Sequence, residues 1–218
     1  KRNMYFHLFI FVISIILIIY CYLKYKYGFW ILQPVYHLYD MHYILKDNQI
    51  INNTLPIENK YTDFLKIKTH VFDNLNTFYI SKFIQLIQNH YLINENNIYQ
   101  PNKTNILPYF YGHNNKSFIS FYLTENILMN TSTNMDIVDS KYIGVITSRP
   151  LYITINIKNK PLILDVYYVD YLCVNDKYRK RGIAPKLIQT HHYQQRHLNK
   201  KIQISLFKRE DELTGIIP

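Results

Sequence analysis

The sequence predicts an α/β (α+β) domain with a mixed, mostly antiparallel sheet flanked by helices and preceded by an N-terminal transmembrane helix. Three observations lead there. An uninterrupted apolar run lies near the N-terminus, an amphipathic helical pattern follows in the middle of the chain, and a succession of β-branched and aromatic runs then passes through a basic turn into another helix.

From Tyr5 to Leu23 the chain reads YFHLFIFVISIILIIYCYL, with no Gly, Pro, Asp, Glu, Lys or Arg. At about 1.5 Å per residue a helix of that length crosses a hydrocarbon core of about 30 Å. The run is apolar all round instead of on one face, which predicts a single-pass membrane anchor through residues 5–23 and not a core helix. A secretory signal would have a shorter apolar stretch and a small-residue cleavage site, whereas Lys24-Tyr25-Lys26-Tyr27 follows directly. Residues 1–26 are therefore expected to form the anchor with its flanking basic residues, and residues 27–218 the domain. Basic residues stand on both sides, Lys1 and Arg2 before and Lys24 and Lys26 after, so charge alone does not orient the span. The chain opens on Lys1 instead of Met, and residues upstream of it would add to that count.

The domain opens on an aromatic stretch, Gly28-Phe29-Trp30, with Gln33-Pro34-Val35 after it, and a polar connection follows around Lys46 to Asn53. Between residues 61 and 93, Phe78, Ile80, Phe83, Ile84, Leu86 and Ile87 recur at three- and four-residue spacing, which predicts a helix covering a sheet. Asn94 to Asn105, rich in Asn with Pro101, reads as a loop, and order resumes from Ile106 to Phe110. Strands are predicted at Ser117 to Leu123, Tyr142 to Ser148, Leu151 to Ile157 and Leu162 to Val174, all rich in Ile, Val, Tyr, Phe and Thr. Asn159 between Lys158 and Lys160 predicts a hairpin turn. A last helix is predicted from Ala184 to Leu198, with Pro185 in its first turn.

Composition excludes several classes. Nine His occur without a ligand pattern such as HExxH, and two cysteines, Cys21 and Cys173, rule out a disulfide framework and a four-Cys zinc site, so no metal site is expected. The formal charge of +10 could attract nucleic acid, lipid or a polyphosphate, but no nucleic-acid-binding motif accompanies it. Its densest run is Lys177-Tyr178-Arg179-Lys180-Arg181. There an apolar strand enters a turn of pattern Arg-x-x-Gly-x-Ala and a helix begins at once. Gly182 lets the chain turn and Ala184 keeps the approach close. The helix N-terminus adds a partial positive charge, so backbone N–H groups converge on a site suited to a pyrophosphate. Arg179, Lys180 and Arg181 would supplement the field.

Arg179 to Ala184 resembles the coenzyme A signature of the GNAT acyl-CoA N-acyltransferase superfamily. Outward from it the wording is similar to the N-terminal half of the N-myristoyltransferase family, whose strand and loop read approximately Asn-Phe-Leu-Cys-Val-His-x-x-Leu-Arg-Ser-Lys-Arg-Leu-Ala-Pro. Here Asp170 to Pro185 reads DYLCVNDKYRKRGIAP. Gly28-Phe29-Trp30 with Gln33-Pro34-Val35, Phe83 to Tyr91, and Tyr142 to Ile146 resemble three further landmarks, so the likeness covers residues 28 to 185.

The resemblance implies a GNAT-like fold and acyl-CoA, as myristoyl-CoA or acetyl-CoA, for a co-substrate. It implies a peptide or protein N-terminal amine as acceptor. The backbone amides of Tyr171 and Leu172 would form an oxyanion hole for the thioester carbonyl. Gly28, Phe29 and Trp30 would lie against the acyl-CoA, Cys173 and Val174 would continue the contacting strand, and Lys180, Gly182, Ile183 and Ala184 would contact its phosphates. Cys173 reads as strand packing, since no activating His pattern accompanies it. Thr214, in a stretch that faintly resembles the opening strand of the family's second half, is a candidate neighbour of the amine or a plain strand residue. Gly182 departs from the family's usual Arg, toward the general GNAT form. The family's peptide-binding half and the base it takes from its own C-terminus have no counterpart among the matched positions. The neighbouring carboxylates are Asp165, Asp170 and Glu212. The expected function is thus an N-acyltransferase, with an acyl-CoA-binding pseudoenzyme or a generic GNAT N-acetyltransferase as the alternatives.

Acyl-CoA supply and the absence of a disulfide pair predict that the domain faces the cytosol. The chain carries its own reporters at Asn52, Asn102, Asn115 and Asn130, each in a glycosylation acceptor pattern. Expressed in a eukaryotic cell, the chain is expected to show no mobility change on glycosidase treatment; a loss of mass would put the domain in the lumen.

Overall fold

The computed structural model describes residues 2–35, 45, 50–92, 99–130, 135–157 and 160–207. The chain divides after Asn53 into two compact units. The first contains helix α1 (Arg2–Tyr27) and a 3-10 turn at Trp30–Leu32. Within α1, the span Tyr5–Tyr27 contains an 18-residue window of mean hydropathy 2.6, none of it buried; by length and composition it can cross a membrane. Ser14 returns its hydroxyl to the Ile10 carbonyl, so the one aliphatic hydroxyl inside the apolar run is satisfied locally. Lys24 and Lys26 in the last turn suit the negative end of the helix dipole.

The second unit is a five-stranded sheet in the order β1-β2-β3-β4-β5. Strands β1 (Ile67–Val71), β2 (Phe118–Asn130), β3 (Met135–Ile157) and β4 (Lys160–Val174) pair antiparallel in sequence order. β5 (Ile204–Phe207) joins β4 parallel, from Val166↔Ile204 to Val169↔Phe207. Helix α2 (Thr77–His90) is capped by Asn76, whose side chain accepts from the Tyr79 N–H. Its buried stripe of Ile80, Phe83, Ile84, Leu86 and Ile87 covers one sheet face with Phe121, Val145, Tyr171 and Cys173. A short helix α3 (Lys103–Ile106) runs into a 3-10 turn that adds Phe110 to the same core. Helix α4 (Ile183–Leu198) covers the opposite face, where Ile183 and Leu187 pack with Ile67, Tyr122, Ile143 and Ile146.

Four expectations shift. The strand expected over 117–123 is β2 and runs on to Asn130. The strands expected at 142–148 and 151–157 are one strand of 23 residues running through Pro150. The N–H that proline lacks would point toward β2, but β2 begins at Phe118 opposite Ser148, so no ladder bond is forfeited. β1 and β5 are too short to show alternation in the sequence and are fixed by their pairing. The loop expected over 94–105 ends in α3, which starts at Lys103. α4 starts one residue earlier than expected, at Ile183. The hairpin turn expected at 158–160 is bracketed by the pair Ile157↔Lys160, although Lys158 and Asn159 lie outside the described residues.

A polar chain crosses the core beneath α4. Thr69 Oγ1 lies 2.7 Å from Ser120 Oγ, Ser120 Oγ 2.7 Å from His191 Nδ1, and His191 Nε2 2.8 Å from Ser148 Oγ. Burial pushes the His191 imidazole down to about 3, with His192 adding to the effect. The unfolded chain would take up a proton near the ordinary value of 6.5, which the folded chain refuses until about 3. The stability this site contributes is complete above 6.5 and lost as pH falls toward 3, at about 1.4 kcal/mol per unit. Urea midpoints taken between pH 7 and 4 should therefore fall, and His191→Leu should flatten the slope. At pH 7 that variant should lose about 1–3 kcal/mol through the stranded Ser120 and Ser148 hydroxyls. An unchanged slope would remove His191 from the account.

Candidate functional site

The end of β4 and the start of α4 are held by three tethers. Asn175 donates its N–H to the Ile143 carbonyl, accepts from the Lys177 N–H through Oδ1, and places Nδ2 2.9 Å from His90 Nε2. Burial lowers the His90 pKa against the pull of Asp176, whose Oδ1 lies 3.1 Å from Nδ1; Arg179, Lys141 and Lys177 lower it further. Arg179 turns its guanidinium back, giving Nε to the Val174 carbonyl at 3.2 Å and Nη2 to the His90 carbonyl at 2.6 Å. It thereby caps the C-terminal end of α2. Lys186, in the first turns of α4, pairs with Asp63 at 2.9 Å, and Asp63 donates its N–H to Thr190 Oγ1. Burial would raise the Asp63 pKa, but Lys186 and the Lys66 N–H hold it below its ordinary value.

Between these tethers the chain makes a tight basic turn. Lys180 (φ 61) and Gly182 (φ 73) are both left-handed. For Lys180 that conformation costs on the order of 1 kcal/mol or more, the kind of strain that collects at ligand-binding turns. No side chain caps α4, Pro185 has no N–H, and the first turn closes with the Lys186 N–H on the Gly182 carbonyl at 3.4 Å. The amides of Gly182, Ile183 and Ala184 thus point out of the helix end, where the dipole is positive. A Cβ built on Gly182 meets no protein atom within 4 Å, so the space before these amides is open. Lys180 and Arg181 are exposed beside it, Arg181 stacking 5.3 Å from the Tyr178 ring centroid. Of the basic residues expected here, Arg179 therefore positions the turn, while Lys180 and Arg181 remain available to an anion.

An open strand edge leads away from the turn. Ser117 and Leu123 bond to β1, so alternation turns Phe118, Ser120 and Tyr122 toward β3 and leaves Val145 and Thr147 facing β4. On β4, the Asn175 N–H and then that of Cys173 face β3. The N–H groups of Leu172 and Val174 consequently face away from it, toward the β5 side, and the Arg179 bond to the Val174 carbonyl agrees. Among the described residues β5 pairs with β4 only up to Val169, so Leu172 and Val174 present free edge amides. The two amides named for the oxyanion hole therefore differ. That of Leu172 is on the open edge, whereas that of Tyr171 donates to Thr147 Oγ1 at 3.1 Å.

Side chains along this edge are packed. Cys173 is buried with Sγ 3.5 Å from the Leu86 carbonyl, and burial pushes its thiol up to about 12, far from a nucleophile's range. Tyr171 is buried among Phe83, Tyr91 and Phe110. Gly28, Phe29 and Trp30 follow α1 in the first unit, the Phe29 and Trp30 rings edge to face at 5.0 Å. Thr214 and Glu212 lie outside the described residues. Thr147, His90 and the Asp63–Lys186 pair had no signal in the sequence, since each acts through a partner distant along the chain, and Asn175 joins such distant partners to a local bond with the Lys177 N–H.

The class the fold defines is GNAT-like: a mostly antiparallel sheet flanked by helices, whose parallel β4–β5 pair parts beside a helix N-terminus. Within it the likeness is to Saccharomyces cerevisiae N-myristoyltransferase with bound myristoyl-CoA. One such structure gives 17% identity and a TM-score of 0.55 over 83% of this chain and 40% of that chain. A second gives 16% and 0.56 over 84% and 38%. The chain thus spans about 40% of the length of that enzyme. An aminoglycoside acetyltransferase from an uncultured soil sample is similar at 20% identity and a TM-score of 0.40, over 67% of this chain and 78% of that one. No family model matches the chain, and no curated protein matches it in sequence.

Gly144 seats the helix that carries the turn. A Cβ there would lie 2.9 Å from Leu187 Cδ1 and 3.5 Å from Ile183 Cγ2, both buried. Gly144→Val should cost about 1–3 kcal/mol by overpacking. Thermal melts of the parent and variant check this; an unshifted midpoint would mean that α4 is free to move off the sheet.

Proposed function

We propose that this chain is a membrane-anchored N-acyltransferase that moves an acyl group from acyl-CoA to an amine. The observation that carries the reading is the uncapped, left-handed entry into α4 beside the unpaired edge of β4. The pyrophosphate rests on the Gly182, Ile183 and Ala184 amides with Lys180 and Arg181 close by. The pantetheine arm adds to the open edge as a strand would, and the Leu172 N–H meets the thioester carbonyl. Negative charge develops on that oxygen as the amine attacks, so a fixed backbone donor stabilises the transition state more than the ground state. The amine nitrogen bonds to the carbonyl carbon, the C–S bond breaks, and coenzyme A leaves as the thiolate. Attack is direct, with Cys173 carrying no acyl group.

Likeness to an N-myristoyltransferase supports a fatty acyl donor such as myristoyl-CoA and a peptide or protein N-terminal amine as acceptor, with acetyl-CoA as the shorter alternative. On this reading Gly28, Phe29 and Trp30 contact the acyl-CoA, Thr214 neighbours the amine, and α1 holds the domain at the cytosolic face of a membrane. The Tyr171 N–H engaged by Thr147 favours a second reading, binding of acyl-CoA without turnover.

The test is calorimetric titration of the full chain, in detergent, with acetyl-, myristoyl- and palmitoyl-CoA. Binding is expected in the micromolar range or tighter, about 8 kcal/mol or more. Gly182→Val fills the open space before the amides and strains a left-handed residue, so affinity should fall at least about tenfold. Equal affinity would remove the phosphate-turn assignment, and thiol release after addition of an acceptor amine separates enzyme from binder.

A further inference from the structure

β4 departs from regular pairing at one place near the open edge. Between the pairs Ile146↔Leu172 and Ser148↔Val169, two residues, Asp170 and Tyr171, oppose the single residue Thr147. A bulge of this kind re-aims side chains and is over-represented beside active sites. Tyr171 enters the core, and Asp170 is left with its side chain only 13% exposed. Its Oδ2 accepts from Arg149 Nε at 2.9 Å. Arg149 is in turn fixed over two rings, 5.6 Å from the Tyr109 centroid and 5.3 Å from that of Tyr168. Asp170 Oδ1 has no protein partner among the described residues. The carboxylate is thus anchored through one oxygen and free at the other, two residues from the edge amide of Leu172.

We propose that Asp170 is the base of acyl transfer, its free oxygen receiving the proton of the attacking amine at the β4 bulge. The inference rests on the acyl-transfer reading above. As the amine nitrogen bonds to the thioester carbon, its N–H proton passes to Asp170, directly or through one water. The C–S bonding pair leaves on sulfur, and Asp170 passes its proton to the thiolate, directly or through solvent, restoring the carboxylate and releasing amide and coenzyme A. Asp170 stands where the family pattern given above has Asn, a side chain that cannot take this proton. The charged groups acting on it are Arg149 from β3 and His113 from the loop before β2, while Tyr109 from the 3-10 turn and Tyr168 from β4 itself hold the Arg149 guanidinium. Tyr91 at the end of α2 donates its hydroxyl to the Asp170 carbonyl at 3.4 Å, and the Tyr99 and Tyr171 hydroxyls lie 3.3 Å apart nearby. Burial raises the carboxyl to about 6 against Arg149 and His113, which suits a group that must take and return a proton near neutrality.

The full chain in detergent is assayed with acetyl-CoA and myristoyl-CoA as donors and glycinamide as acceptor, following thiol release against pH, with thioester affinity measured separately by calorimetry. The parent rate should rise through a limb near pH 6, apart from the titration of glycinamide itself. Asp170→Asn should lose about a hundredfold or more in kcat, and lose that limb, while thioester affinity stays within about twofold. Because a neutral amide at this position would leave Arg149 unpaired, the double variant Asp170→Asn with Arg149→Gln guards against misfolding and should show the same loss. A variant that keeps the rate and the limb overturns the proposal, as does a parent that binds thioester at every pH without releasing thiol. A parent that binds neither thioester instead overturns the acyl-CoA reading beneath it, so the two failures are distinguishable.

Discussion

Everything functional in this domain depends on how closely α4 can lie on the sheet. The contact is made at Gly144, where a methyl group would meet the Leu187 side chain. It is reinforced by the Lys186–Asp63 pair at one end of the helix and by the buried His191 between Ser120 and Ser148 in its middle. Apolar burial supplies the seat, and these directional bonds fix the rotation and slide of the helix along it. If the helix N-terminus is the anion site proposed above, an error of an ångström in that seating would carry the amides of Gly182, Ile183 and Ala184 away from the β4 edge.

The edge is made by a mismatch in strand length. β3 runs past β4 at its start and past β2 at its end, β1 and β5 are short, and β4 is paired on both sides only between Val166 and Val169. Beyond that point β4 has backbone donors and a bulge but no second neighbour among the described residues. The same short pairing that lends the sheet little stability leaves Leu172 and Val174 free. Arg179 closes the far corner by tying Val174 to the end of α2, so the basic turn is braced from both sides of the sheet.

What could be read in the sequence is what repeats or is local. The α2 stripe, the long β-rich runs and the strand-turn-helix around Gly182 each show in consecutive residues, and all stand in the structure. β1 and β5 could not be read, because five and four residues give no period to detect. The strands at 142–148 and 151–157 read as separate, because the sequence does not say that the N–H missing from Pro150 between them would have faced no neighbour. The same limit explains Arg179, read as a ligand-facing charge and found bracing α2, and the Tyr171 amide, whose direction depends on a bulge. The Asp170–Arg149 pair joins strands through a register that no local pattern encodes.

The connectivity of the sheet also sets an order in which it can be built. β2, β3 and β4 follow one another through short antiparallel returns, so their contacts close small loops at little entropic cost. The parallel strand β5 can reach β4 only after the whole of α4 has been laid across the sheet, a crossover that closes later and more slowly. The corner between β4, β5 and α4, with the β1–β2 pairing that closes a still longer stretch of chain, is therefore where closing the sheet costs most entropy. A ligand that bridges α4 and β4 there would act on the lifetime of the folded chain as well as on its chemistry, holding shut a seam that chain entropy works to open.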